Sequence, residues 1–504
     1  MEINEILQQR KSKLDSLKGK FYSVYPSNVA KHTPIQQALG GFQEALPVAV
    51  CGRIMAKRLH GKVAFLDLRD STARIQLYIK TDTLDKKVLG IFEALDIADL
   101  VWVKGELFKT HTGEPTVKVQ DLALLAKALR PLPEKWHGLK DVGLRYRQRY
   151  LDLLSNEKVK EVFLVRSRII KAIRDFLDSK GYLEVETPMM HDIAGGAAGR
   201  PFKTHHNEYD EDLFLRIAPE LYLKRLLVGG LDKVYEINRS FRNEGVSTRH
   251  NPEFTMLEVY AAYANYEDMM QLVQDLVIRA AEKVLGKNSF VYQGKPVDLS
   301  LPWAKRSFAQ LVKDKFGIEP ADEAQVMLEK LHTAGFAKEA NKLNRSQIAK
   351  LIEELLEEGM SPVRNTGALG NSPIVSNGDP TFVTDYFSNL CPLAKNKEGN
   401  PFISERFELY IAGLEVGNAY TELNDPQEQK ARFEQELKEL DKDEKKHLDE
   451  DYILALEHGM PPAGGLGIGI DRLVMLLTDQ PSIRDVILFP LLRPEKPSPP
   501  FEVE

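Results

Sequence analysis

The stretch FRNEGVSTRHNPEFTMLE, at residues 241–258, is the part of the chain that decides the fold. Apolar residues alternate with polar ones on either side of it, and this period of two predicts a strand, a loop and a second strand. Residues two positions apart on a strand share a face, so Arg242 and Glu244 are predicted to point the same way. Guanidinium groups bind phosphates as a fork, so the stretch indicates a polyphosphate site. A surface network of ion pairs is the alternative.

The same stretch also carries an aromatic residue beside its loop. Gly245 and the pair Asn251-Pro252 are turn signals that place the loop. Arg249 and His250 lie on that loop, and Phe254 follows just after it. Because an aromatic ring offers a plane on which a base can stack, the stretch predicts a nucleotide site.

A second stretch, GGLGIGIDR at residues 464–472, has a glycine at every other position. On a strand, such glycines clear one face of side chains, so a flat ligand could lie against the backbone. The apolar period then changes toward helical spacing, so Asp471 and Arg472 are predicted at a helix start, where the positive helix end suits an anion. A Rossmann dinucleotide site is the competing interpretation. It requires the glycines in the turn after the strand, and here they lie within the strand.

These two stretches resemble motifs 2 and 3 of the class II aminoacyl-tRNA synthetases, and residues 166–190 resemble motif 1. The likeness is closest to the bacterial lysyl-tRNA synthetase family, through APELYLK at 218–224, RHNPEFTMLEVY at 249–260 and NAYTELNDP at 418–426. It covers nearly the whole chain, with the motifs in family order. The resemblance implies an α+β fold, with an N-terminal five-stranded OB-fold β-barrel and a class II synthetase catalytic domain whose mostly antiparallel sheet is flanked by helices.

The domain organisation follows from local patterns. Five short β-type runs occupy residues 48–127, with a helical stretch between the third and the fourth, which is typical of an OB-fold. Prolines at 131 and 133 mark a linker. We therefore expect an N-terminal helical extension at 1–45, an OB-fold domain at 46–130, a linker at 131–154 and a catalytic domain at 155–504. A helical insertion is expected at about 267–358.

Composition limits the cellular compartment that the sequence predicts. The 504 residues include two cysteines, Cys51 and Cys391, too far apart in sequence for a metal motif, and both are predicted to be reduced. No apolar run approaches the roughly 18 residues that span a membrane, and the first residues lack the apolar core of a signal peptide. These features predict a cytoplasmic protein with no membrane partner.

The net charge of −6 means that any binding of nucleic acid needs a local basic patch. One candidate patch lies in the N-terminal domain and includes Arg53, Lys57 and Arg58. A second lies in the linker and includes Arg147 and Arg149.

The resemblance implies an ATP site with Mg²⁺ as cofactor. Arg242 would bridge the α-phosphate and the lysine carboxylate, and Arg472 would bind the γ-phosphate; both are the predicted catalytic residues. The full set of ATP-binding residues it implies is Arg242, Glu244, Arg249, His250, Asn251, Phe254 and Arg472. Glu408 and Glu415 would bind the metal. Seven positions apart, they would lie on opposite faces of a regular strand, so we expect a bulge near Gly413.

The resemblance also implies a pocket for L-lysine. An ammonium group that leaves water needs a carboxylate partner, and acids occur where such a pocket would be built. Glu258 and Glu422 would bind the side-chain amine, with Tyr260 against its stem. The complete set is Gly196, Glu220, Glu258, Tyr260, Asn418, Tyr420 and Glu422. An enzyme for aspartate or asparagine is disfavoured, since an aspartate carboxylate would be repelled by these acids.

In the OB-fold domain the resemblance implies an anticodon site at Arg58, Phe65 and Gln76, where single-stranded bases stack and are read on their edges. The partners implied are tRNA(Lys), L-lysine, ATP and a second copy of the chain in a homodimer. Two alternatives remain at this point. One is a paralogue that lysylates elongation factor P, which would lack the OB-fold domain. The other is a catalytically idle homologue that only binds RNA, which the retained arginines and acids disfavour.

Overall fold

The computed structural model describes residues 3–19, 24–132, 139, 141–197, 199–336, 343–358, 378–439 and 448–494. The chain divides into two compact units. The first comprises residues 1–141 and 150–155, and the second comprises 142–149 and 156–504. Among the helices of the described residues, none is long and apolar enough to cross a membrane.

The first unit is built on a closed five-stranded barrel with strand order β1-β2-β3-β5-β4. Its elements are α1 (Ile3–Gly19), α2 (Ile35–Gly40), β1 (Pro47–His60), β2 (Val63–Arg69), β3 (Arg74–Lys80), α3 (Lys86–Ala94), β4 (Leu100–Lys109) and β5 (Pro115–Ala126). Alternate apolar residues of all five strands fill the barrel, together with residues of α3. The helix between the third and fourth strands and the closure of β1 on β4 confirm the predicted OB-fold.

The second unit contains the remaining elements, except that only Arg149 of α5 belongs to it. They are α4 (Val142–Arg147), α5 (Arg149–Ser155, which runs on into the first unit), α6 (Glu157–Ser179), β6 (Leu183–Glu184), β7 (Met190–His191), β8 (Lys203–His206), β9 (Glu211–Leu215), α7 (Glu220–Val228), β10 (Lys233–Phe241), β11 (Glu253–Ala262), α8 (Tyr266–Leu285), β12 (Ser289–Tyr292), β13 (Lys295–Asp298), β14 (Ala304–Ser307), α9 (Phe308–Phe316), α10 (Ala324–Thr333), α11 (Arg345–Glu358), β15 (Thr381–Thr384), β16 (Asn396–Lys397), β17 (Asn400–Ser404), β18 (Arg406–Ile411), β19 (Leu414–Thr421), α12 (Pro426–Glu439), α13 (Glu450–Glu457), β20 (Ala463–Gly469), α14 (Ile470–Leu477) and α15 (Ile483–Val486).

An eight-stranded sheet organises this unit, in the order β14-β15-β18-β19-β20-β11-β10-β6. Its central pairs are antiparallel, and only the two edge pairs are parallel. Apolar side chains of α6, α8 and α14 pack with the strands in one core. This mixture of a mostly antiparallel sheet and flanking helices confirms the predicted α+β class.

Local signals explain the helix ends next to the sheet. Gly181 has a φ of +79°, a backbone conformation that glycine adopts without strain, and it follows the last residues of α6. Asn265 and Asp268 form a reciprocal capping box at the start of α8. Both helices are thereby held at fixed positions against the strands that carry the candidate site.

Candidate active site

One side of the candidate site lies at the start of α14, where Arg472 contacts Glu415 and His250. Arg472 lies in the first turn of this helix, as predicted, and its Nη1 donates to Oε2 of Glu415 at 2.8 Å. Its Nη2 lies 3.2 Å from Nε2 of His250. Burial and the neighbouring Arg472 lower the pKa of His250. A neutral His250 would accept from Arg472 at Nε2 and donate from Nδ1 to Ser247 Oγ, 3.0 Å away.

Arg242 lies deeper in the same region, and its guanidinium lies over the ring of Phe254, 5.2 Å from the ring centre. Among the described residues, nothing hydrogen-bonds its buried Nε. Burial lowers the pKa of Arg242, although Glu415 and Glu244 act in the opposite direction. A buried guanidinium with a vacant donor is suited to an anionic ligand.

Arg242 and Glu244 were expected to point the same way because they would share one face of a strand, and this reason is wrong. Strand β10 ends at Phe241, so both residues lie in the following loop, where the backbone N–H of Arg242 donates to the carbonyl of Pro252 at 2.8 Å. Their side chains nevertheless converge. A Cβ built on Gly199 would lie 3.2 Å from Arg242 and 3.3 Å from Glu244.

The other two loop residues that were predicted to bind ATP differ in exposure. Arg249 is half-buried, and its backbone N–H donates to Ser247 Oγ at 3.1 Å. Asn251 is buried, and its Nδ2 donates to the carbonyl of Glu253 at 2.6 Å. Asn251 therefore fixes the junction between the loop and β11.

The predicted amino acid pocket contains a buried cluster of acids contributed by three parts of the chain. Glu220 begins α7, Glu258 lies on β11, and Glu422 follows β19; all three are buried. Tyr420 donates to Glu220 at 2.5 Å, and Tyr260 donates to Glu258 at 2.9 Å. The structure therefore brings together the three acids that the sequence singled out.

Within the described part of the chain, Glu258 forms no ion pair. Burial, followed by repulsion from Glu220, raises the pKa of Glu258 to about 8. The hydrogen bond from Tyr260 and the charge of Arg242 oppose this shift. Glu258 therefore stays largely protonated in the ligand-free fold, and a ligand that brings a cation would favour its ionised form.

Sequence reasoning missed Lys224, which belongs to the same pocket. Its side chain is fully buried, and its ammonium contacts Glu220 at 2.7 Å and Glu422 still more closely. Burial alone would lower the pKa of Lys224, but Glu220 and Glu422 together raise it. The spacing of four residues on one helix was the available signal, because it places Glu220 and Lys224 on one face.

At Gly465, the glycine face of β20 does not have the predicted use. A Cβ at Gly465 would lie 1.9 Å from Oε1 of Glu422 and 2.6 Å from Cε1 of Tyr260. The bare backbone at this position therefore makes room for the side chains of the acidic pocket, and not for a flat ligand. A Cβ built on Gly196, whose φ is +87°, would lie 3.2 Å from Cβ of Glu220.

Glu408 and Glu415, the predicted metal ligands, lie on two adjacent strands, so the expectation of one bulged strand is wrong. Ala412 and Gly413, with φ values of +51° and +81°, turn the chain from β18 into β19. The register of this hairpin shifts between Leu409 and Tyr410. Since the strands pair side by side, seven residues of separation do not place the two glutamates on opposite faces.

The carboxylates of Glu408 and Glu415 have different hydrogen-bond and ion-pair partners. Glu408 accepts from Tyr386 and Tyr410, each at 2.6 Å, and pairs with Arg406. Burial would raise the pKa of Glu415, but Arg472 outweighs it and the pKa is lowered. Among the described residues, no cluster of three or more side chains could hold a metal ion alone. Two carboxylates whose remaining ligands come from substrate phosphates fit Mg²⁺.

Asn418, which lies opposite Glu408 in the hairpin, was predicted to contact the amino acid. Its Oδ1 accepts from Nε of Arg406 at 3.1 Å. Arg406 therefore holds one predicted metal ligand and one predicted lysine ligand at once.

In the first unit, the three predicted anticodon residues lie on neighbouring strands. Arg58 of β1 faces Phe65 of β2 in register, and Gln76 is on β3. Phe65 is half-buried and lies edge-on to Tyr78, with the ring centres 5.5 Å apart. Gln76 is buried and accepts from Thr116 at 3.1 Å, so its amide is already engaged within the barrel.

The predicted basic patches are only partly exposed. Lys57 donates to the carbonyls of Phe92 and Leu95, at 3.2 and 2.9 Å. Arg149 is fully buried and donates to carbonyls of residues 484, 487 and 488. The expectation that Arg149 contributes to a surface patch is wrong, because its guanidinium supports the chain after α14.

Comparison with known proteins agrees with this architecture. Residues 141–493 match the family described as tRNA synthetases class II (D, K and N), and residues 48–125 match the OB-fold nucleic acid binding domain. The lysine–tRNA ligase of Carboxydothermus hydrogenoformans is 51% identical over 500 residues, covering 98% of this chain and 99% of that protein. Those of Moorella thermoacetica and Clostridium acetobutylicum are 50% and 48% identical, over 98% of this chain and 99% and 94% of theirs.

Proposed function

The chain belongs to the lysine–tRNA ligases of the class II tRNA synthetase family and ligates lysine to tRNA with ATP, and we propose that the residues described above carry out the two steps of that reaction. The residue assignment is supported by two buried groups that lack partners, one a hydrogen-bond donor and the other an acid. Among the residues that the structure describes, Arg242 has a buried donor without a partner, and Glu258 is a buried acid without an ion pair. A ligand with a carboxylate and two ammonium groups satisfies both.

In the first step, the lysine carboxylate attacks the α-phosphate of ATP, the bond from that phosphorus to the bridging oxygen breaks, and pyrophosphate leaves with lysyl-adenylate formed. The protein needs no nucleophile, since positioning and charge stabilisation suffice for this transfer. Arg242 bridges the carboxylate and the α-phosphate, and Arg472 binds the γ-phosphate. Phe254 stacks under adenine.

The other residues of the nucleotide site complete this arrangement. Arg249 and His250 bind the outer phosphates, Glu244 accepts from the adenine amino group, and Asn251 holds the loop. Glu408 and Glu415 would hold Mg²⁺, which neutralises phosphate charge when bound.

The lysine pocket distinguishes its amino acid from others by charge. Glu258 and Glu422 bind the side-chain ammonium, with Tyr260 against the apolar stem. The other end of the amino acid is held by Glu220, Asn418 and Tyr420, and by the backbone around Gly196. Without the side-chain ammonium of the ligand, Glu258 would have no ion-pair partner among the described residues, whereas Glu220 and Glu422 would keep Lys224.

In the second step, the terminal ribose hydroxyl of tRNA(Lys) attacks the activated carbonyl, and AMP leaves. The OB-fold domain, residues 46–130, reads the anticodon through Arg58, Phe65 and Gln76, while residues 155–504 hold both chemical steps. We propose a cytoplasmic homodimer, because the substrate is tRNA and because motif 1, which includes α6, lies at the dimer interface in the family it resembles.

The direct test is pyrophosphate exchange into ATP without tRNA, with each of the twenty amino acids offered separately. Lysine alone should support exchange, and EDTA should abolish it. The variant Arg242→Ala is the matched control, since it should remain folded and lose exchange. Exchange driven equally by aspartate or asparagine, or none with lysine, would contradict the assignment of the acidic pocket.

A further inference from the structure

One half-buried side chain, Arg166 of α6, contacts both elements on which the proposed ATP site is built, although Arg166 itself lies outside that site. Its Nη1 donates to Oδ1 of Asp471 at 2.5 Å, and its Nη2 donates to Oγ1 of Thr255 at 2.9 Å. Asp471 then accepts the backbone N–H of Thr255 at Oδ2, at 2.7 Å. The three residues therefore form a closed ring of hydrogen bonds between α6, β11 and α14.

The sheet register explains why this ring occurs here. Strand β20 ends at Gly469, whose partner on β11 is Met256. The backbone N–H of Thr255, one position further along, lies beyond the last strand pair on that side, so it needs another acceptor. Asp471 supplies that acceptor from the first turn of α14, where an acid is also favoured by the helix dipole.

The residues adjacent to the ring in sequence connect it to the proposed ATP site. Thr255 directly follows Phe254, the proposed adenine platform, and Asp471 directly precedes Arg472, the proposed γ-phosphate ligand. The ring therefore fixes the distance between the two ends of one bound nucleotide. Asp471 is almost fully buried, with 3% of its side chain exposed, so without Arg166 its charge would have no ion-pair partner among the described residues.

We infer that Arg166 is a positioning residue for ATP: through Asp471 and Thr255 it holds Phe254 and Arg472 at the separation that the nucleotide requires. The inference rests on the proposed function. It predicts an effect on ATP and none on lysine, because the acids Glu220, Glu258 and Glu422 make no contact with the ring.

The test is a steady-state comparison of Arg166→Met and Arg166→Lys with the wild-type full-length chain in lysine-dependent pyrophosphate exchange. For Arg166→Met, the KM for ATP should rise more than tenfold while the KM for lysine stays within twofold. Arg166→Lys keeps the charge and should recover at least part of the ATP affinity. A mere loss of folded protein would lower the rate and leave both KM values unchanged.

The matched control is Arg174→Met, the same substitution on the same helix at an arginine that pairs with Glu184 at 2.9 Å, outside the ring. It should leave both KM values within twofold. If Arg166→Met does not fold, Asp471→Asn tests the same ring, because it removes the ion pair and keeps an acceptor for Thr255; the same split is expected. Equal changes in both KM values, or an unchanged KM for ATP in a folded variant, would overturn the inference. Absence of lysine-dependent exchange in the wild type would instead overturn the proposed function.

Discussion

Replacing Glu258 by glutamine should stabilise the ligand-free fold while weakening lysine binding. The folded chain keeps a proton on Glu258 up to a pKa of about 8, against an ordinary value of 4.5. Between these two values the unfolded chain has already lost the proton, so folding becomes less favourable as the pH rises. Each pH unit costs about 1.4 kcal/mol, and the total at pH 7 is about 3 kcal/mol. Glutamine does not titrate, and it can still accept from Tyr260.

Urea unfolding of the ligand-free chain at several pH values measures this effect. The advantage of Glu258→Gln should be small at pH 5, grow to about 3 kcal/mol at pH 7 and level off above pH 8. Glu236→Gln is the matched control, because Glu236 faces Glu258 across the strand pair and is equally buried, but pairs with Arg216 at 2.6 Å. Breaking that pair should instead destabilise the fold, by about 3–5 kcal/mol.

Calorimetry with lysine completes the prediction. Since Glu258 is mostly protonated at pH 7, lysine binding to the wild type should release up to about one proton, detectable in buffers of different ionisation enthalpy. Glu258→Gln should bind lysine at least about thirtyfold more weakly and release no such proton. A variant that gains no stability with rising pH, or that binds lysine as tightly as the wild type, would refute the reasoning.

Three further outcomes follow from the site geometry. Arg472→Ala should lower lysine-dependent pyrophosphate exchange by about a hundred- to a thousandfold, since a charged contact to the phosphates is lost; near-normal exchange by a folded variant would contradict the role of Arg472. Gly465→Ala should raise the KM for lysine by up to about a hundredfold with little change for ATP, because the added Cβ would lie 1.9 Å from Glu422; equal effects on both substrates would argue for general misfolding. Phe65→Ala should weaken aminoacylation of tRNA by about 1–3 kcal/mol and spare exchange without tRNA; a parallel loss of both would mean that Phe65 only supports the barrel.

The alternating patterns of the sequence were sufficient for the sheet and the barrel, since alternation depends on neighbours along one strand. The glycines of β20 and the helix start at Arg472 were predictable for this reason. Where the chain turns, the same rule failed. Arg242 and Glu244 lie past the end of β10, and Glu408 and Glu415 are separated by a hairpin turn.

Pairings between distant residues were not predictable from local patterns. Lys224 is in a helix whose lysine could equally face water, and only the fold brings Glu422, almost two hundred positions later, against it. Arg149 is in a polar linker, and its burial depends on carbonyls near the end of the chain. A buried charge is recognisable only when its partner is known.

The position of β20 has a consequence for biosynthesis. This strand lies between β19 and β11, so until residues 463–469 have been made the sheet exists as two halves, each with an open edge. Unpaired strand edges invite association between chains. Arg472 follows this segment closely. During synthesis, the chain therefore gains its proposed phosphate-binding arginine at about the same point at which the sheet can close. A prematurely terminated product would therefore lack the phosphate arginine and expose two strand edges, so we expect it to be inactive and prone to aggregate.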